Sequence, residues 1–75
     1  MDLNEANKLW FESKPIEGIK FGLNDYVHIT EREYSGNHAS VISLMSLEPV
    51  TYLVELDLYT GGDVVVFQTE IENEE

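Results

Sequence analysis

With 75 residues, no cysteine, 43% apolar residues and a formal net charge of −11 at neutral pH, the chain reads as one small domain held by apolar packing alone. That excludes a disulfide framework and a thiolate zinc site, leaves little volume for a deep enzyme cleft, and sets the molecule against phosphate backbones. No apolar run approaches the ~18 residues of a membrane span, and Met1-Asp2-Leu3-Asn4-Glu5 is acidic where a signal peptide is basic; a cytoplasmic protein without membrane contact is expected. The charge is also one-sided. The only basic residues, Lys8, Lys14, Lys20 and Arg32, lie in the first 32 positions, and from Glu33 onward there are nine carboxylates.

Asp2 to Glu12 predicts a short amphipathic helix within an N-terminal segment of residues 1–14. Asp2 is an N-cap and Glu5, three residues on, completes a capping-box pattern. Leu3, Ala6 and Trp10 form one apolar stripe with Leu9 beside it, and Trp10 and Phe11 are the expected anchors against a sheet. Pro15 ends the helix. Residues 15–24 carry Gly18 and Gly22 among Ile16, Ile19, Phe21 and Leu23, a pattern that fits an irregular segment or a short edge strand.

Residues 25–71 then read as an antiparallel meander. Asp25–Thr30 is a strand with Val27 and Ile29 inward and Tyr26, His28 and Thr30 outward. Residues 31–38 form a polar loop in which Gly36-Asn37 offers positive-φ positions. Ala39–Leu47 is a second strand whose apolar run from Ile42 predicts a bulge. Glu48-Pro49 breaks it, Val50–Leu58 is a third strand, Thr60-Gly61-Gly62 a hairpin turn, and Asp63–Phe67 a fourth strand. One helical turn and a short closing strand are expected around Gln68–Ile71, and residues 72–75 read as a solvated, frayed acidic tail. The predicted core is Val27, Ile29, Val41, Leu44, Tyr52, Val54, Leu56, Val64, Val66 and Ile71, covered by Trp10 and Leu3.

The succession Val27-His28-Ile29, Gly36-Asn37-His38-Ala39-Ser40-Val41 and Val54-Glu55-Leu56 resembles the small SH3-like barrels of the KOW type, with their V-x-V or V-x-I strand and G-x-x-G-x-V loop. The resemblance implies a strongly bent, five-stranded all-β barrel over residues 25–71 with one short helix outside it. It also implies the RNA and ribosome association of that family. Ala39 stands where the family places its second glycine, and Glu31 and Glu33 flank a lone Arg32 where the family carries basic residues.

Catalytic and metal-binding patterns are missing. His28 and His38, with Asp25, Glu31 and Glu33 nearby, match no ligand spacing. Ser35 and Ser40 lack a Gly-x-Ser-x-Gly elbow, and Gly61-Gly62 leads into a strand where a phosphate loop leads into a helix. The expectation is therefore a monomeric, non-enzymatic interaction module without cofactor or metal. Its partner is a protein with a basic patch, met by Arg32 and Tyr34 on the loop and by the acidic sheet face around Glu55, Asp57 and Asp63. Two alternatives remain open: an acidic, antitoxin-like inhibitor that covers a basic nucleic-acid-binding site, and a KOW-like RNA-associated module. Direct nucleic-acid binding is not expected.

Overall fold

The computed structural model describes residues 1–57 and 62–74. Helix α1 spans Leu3–Phe11, and the Asp2 carboxylate accepts the Glu5 N–H (2.8 Å), satisfying one of the free donors of the first turn. The helix ends four residues before Pro15: Ser13 turns left-handed (φ 60°) and Lys14 N–H donates to the Leu9 carbonyl (2.9 Å). Ala6 and Trp10 are buried and Leu3 packs beside them. Phe11 is not the second anchor that was expected, being 51% exposed. It lies about 100° around the helix from Trp10, so both cannot share the stripe, and its ring forms a T-shaped pair with that of Trp10 (centroids 5.0 Å apart).

Among the described residues five antiparallel strands follow: β1 Tyr26–Ile29, β2 His38–Leu47, β3 Val50–Leu56, β4 Asp63–Phe67 and β5 Ile71–Asn73. They form a single sheet in the order β4-β3-β2-β1-β5. The fold is thus mostly β with one short helix, but the sheet is open where a barrel was expected. A 3-10 turn at Gln68–Glu70 carries the chain from β4 to the far side of β1, leaving β4 and β5 as the two edges. The apolar run of β2 does bend, with register breaks between Val41 and Ser43 and between Leu44 and Ser46. The bulges let a ten-residue strand keep Val41 and Leu44 inward despite their odd spacing.

Nine of the ten predicted core residues are buried, and Val64 packs against them half-exposed. Phe21, Ala39 and Ala6 join them. Residues 15–24 are not a strand. They are tied to the core by polar groups: Trp10 Nε1 donates to the Phe21 carbonyl (2.7 Å), and Phe21 N–H donates to the Tyr52 hydroxyl (3.3 Å). That hydroxyl donates to Gln68 Oε1, which also accepts the Lys20 N–H (2.9 Å), while Gln68 Nε2 donates to the Gly18 carbonyl (2.9 Å). Tyr52, fully buried on β3, thereby connects this segment to the 3-10 turn.

Glu72 and Asn73, in the tail expected to fray, are strand. His28 pairs with Glu72 and Val27 with Asn73, and Glu74 N–H donates to the Tyr26 carbonyl (3.0 Å). Ile71, buried against Ile29, anchors the strand and brings the two glutamates alongside β1. In the β1–β2 loop, Gly36 takes positive φ (92°) as expected, whereas the second left-handed residue is Arg32 (φ 66°) and not Asn37. The turn expected at Thr60-Gly61-Gly62 falls partly outside the described residues; Gly62 has φ 132°.

Candidate interaction surface

Strand alternation sends Val27, Ile29, Val41, Val54 and Val66 inward and leaves the opposite face of the sheet to Tyr26, His28, His38, Ser40, Glu55, Asp63, Val65 and Phe67. Register aligns these residues across four strands. Tyr26 faces Ser40, Ser40 faces Glu55, and Glu55 faces Asp63, a continuous row from β1 to β4. Asp57 follows directly at the end of β3, where its N–H donates to the His38 carbonyl (2.7 Å). Glu55, Asp57 and Asp63, picked out from the sequence, are therefore brought together at one end of the sheet and are all exposed.

Asp57 is not entirely free. Its carboxylate accepts the Tyr26 hydroxyl (2.5 Å), and the Tyr26 ring stacks on His38 (centroids 5.8 Å, interplanar angle 13°). The bond to Asp57, then burial and the negative charges of Asp57 and Glu74, push the Tyr26 phenol above its ordinary value. On the β5 side, Glu74 reaches both imidazoles: its Oε2 lies 2.7 Å from His38 Nδ1 and 3.4 Å from His28 Nδ1. Glu72 lies 3.3 Å from His28 Nε2. Sequence reasoning missed these partners. The signal was the alternation itself, since Tyr26-x-His28 and Glu72-x-Glu74 both place their polar groups on one face once the C-terminus is a strand.

The loop residues fare differently. Tyr34 is half-buried and packed against the core, so its ring is not a free aromatic anchor. Arg32 is committed internally. Its guanidinium pairs with both carboxylate oxygens of Glu70 and lies over the Phe67 ring (5.3 Å to the centroid). Burial raises the Glu70 carboxyl, but the bonds from Arg32 and from Phe67 N–H (2.8 Å), with the Arg32 charge, outweigh it and hold the group below the usual carboxylate range. The loop still borders the acidic row, because it runs directly into His38.

Among the described residues, no group of three or more His, Cys, Asp or Glu side chains is arranged to hold a metal ion. A hollow of about 320 Å³ between Trp10, Pro15, Ile19 and Phe21 contains one carboxylate, Asp25, whose oxygen already accepts the Gly22 N–H (2.8 Å). No helix among the described residues is long and apolar enough to cross a membrane. Comparisons of the chain with protein-family models, with curated proteins and with solved structures gave no match.

Proposed function

We propose that this protein is a small acidic protein-interaction module whose solvent-facing sheet surface receives a partner with a basic patch. The observation that carries the reading is the gathering of Glu55, Asp57 and Asp63 at one end of a rigid sheet, next to Glu72 and Glu74, with histidine the only basic side chain among them. Such a surface steers a cationic partner into place and rejects an anionic one. An SH3-like arrangement belongs to the same proposal: a four-strand meander followed by a short strand returning to β1 is the order that the resemblance implies, and the order β4-β3-β2-β1-β5 supports it. The β1–β2 loop, with Arg32 and Tyr34, forms the rim of this surface.

The test is capture from native lysate with the wild type beside a Glu55→Gln, Asp57→Asn, Asp63→Asn triple variant and beside Arg32→Ala. Partners that the wild type retains are expected to be lost by the triple variant and to elute as salt rises. Retention undiminished by the triple variant, with its fold intact by circular dichroism, would overturn the reading.

A further inference from the structure

The sheet has two edges, and they are finished differently. β5 is three residues long, and its glutamates are held by His28 and His38, a short and charged edge of the kind that resists pairing. β4 is five residues long, contains three consecutive valines, and has β3 as its only strand neighbour among the described residues.

Which backbone groups β4 presents outward follows from its ladder. Leu56 N–H donates to the Gly62 carbonyl (2.9 Å), so the bonded pairs continue at Val54 with Val64 and Tyr52 with Val66. The intervening residues, Asp63, Val65 and Phe67, point their N–H and C=O away from β3. Phe67 N–H is already taken by Glu70. Asp63 and Val65 have no backbone partner among the described residues, so each offers a donor and an acceptor to the open side.

The side chains beside these groups define what fits. Val65 is 48% and Phe67 39% exposed, an apolar stretch at one end of the edge. At the other end Glu55 and Asp63 stand directly opposite each other in a non-bonded pair, where side chains approach most closely and like charges oppose each other. A cation placed beside them relieves that repulsion. A second copy paired edge to edge brings no such cation, since its own β4, Asp63–Phe67, carries no lysine or arginine.

Resting on the interaction-module reading, we infer that the open edge of β4 accepts an extended segment of a partner protein as a sixth strand, with lysine or arginine opposite Asp63 and an apolar side chain opposite Val65. Main-chain bonds at Asp63 and Val65 supply the attachment, and the alternating apolar and basic side chains supply the selection.

The test uses the full chain and a synthetic, end-capped peptide, Leu-Thr-Val-Thr-Lys-Thr-Lys, which presents leucine, valine and lysine on one face when extended. Binding is expected to slow hydrogen exchange at the Asp63 and Val65 amides by about tenfold or more at saturating peptide. Methylating alternate backbone nitrogens of the peptide, or changing Val65→Lys in the protein, is expected to weaken binding by about tenfold or more. Val65 is exposed, so that variant leaves the core untouched. Equal binding of the methylated peptide, with unchanged exchange at both amides, would overturn the edge inference while leaving the acidic surface standing as a receptor for charge alone. Absence of binding would overturn it too, and the capture experiment with the triple variant then judges the broader reading separately. Light scattering that found a dimer dispersed by Val65→Lys would also overturn it, making a second copy the occupant.

Discussion

Tyr52 and Glu70 each connect parts of the chain that secondary structure leaves apart. Tyr52 is fully buried, and its hydroxyl is the polar link between Phe21 and Gln68. Burial pushes its phenol above the ordinary value, so it remains a neutral donor across the physiological range. Tyr52→Phe keeps the ring, leaves Phe21 N–H without its acceptor and takes one of two donors from Gln68 Oε1; we expect a loss of about 1–2 kcal/mol by denaturant unfolding, with faster amide exchange at Lys20 and Phe21. An unchanged midpoint would mean that residues 15–24 are held by Trp10 and apolar contact alone. Glu70 gives a pH-dependent prediction. Its carboxyl lies below its unfolded value, so its contribution is fully present above the ordinary carboxylate range and is lost as pH falls through the lowered folded value. Comparing Glu70→Gln with wild type between neutral and acid pH, the stability difference is expected to be largest at neutral pH and to shrink on acidification. A pH-independent difference would assign the effect to packing instead of charge.

Strands with clear alternation were legible because one buried face dictates both period and register. Val27, Ile29, Val54 and Leu56 lie inward as their spacing requires. The bulged β2 was legible for the opposite reason: Ile42 to Leu47 was too continuously apolar to fit one face. Residues 15–24 were not, because their order comes from bonds made to Trp10, Tyr52 and Gln68, up to 50 positions away, and no local periodicity encodes those. The acidic row was visible as residue types, but the fate of Arg32 and Tyr34 depended on Glu70 and on the core. The faces of β3 can be tested directly. Val54 is fully buried, whereas Thr51 is half-exposed and its side chain bonds the Ser46 hydroxyl (2.6 Å). Val54→Ala is expected to cost about 2–4 kcal/mol in thermal or denaturant unfolding, a large share of what so small a core supplies. Thr51→Ala is expected to cost less than about 1 kcal/mol. Equal costs would place the sheet's buried face on the wrong side.

At the scale of the molecule, the deciding quantity is the charge of −11 and its placement. Affinity for a nucleic-acid backbone grows with the number of phosphates neutralised by Lys and Arg, because each neutralised phosphate releases a bound counterion. Here the basic residues number four. Arg32 is occupied by Glu70, and Lys14 lies within 3.3 Å of Glu12. Lys8 and Lys20 remain on the helix and on the irregular segment; on the solvent face of the sheet Tyr26 stands beside carboxylates and the Phe67 ring is covered by Arg32. Stacking of unpaired bases on Tyr26 would have to overcome the repulsion of Asp57 and Glu74 near it and of Glu55 and Asp63 along the same row, and stacking on Phe67 would have to displace Arg32. We therefore expect no binding to duplex DNA or to mixed-sequence RNA by fluorescence anisotropy at physiological salt. We also expect none when salt is lowered, since weaker screening strengthens the repulsion. Micromolar affinity that falls steeply with added salt would overturn this expectation and favour the RNA-associated role implied by the KOW resemblance over a receptor for basic protein.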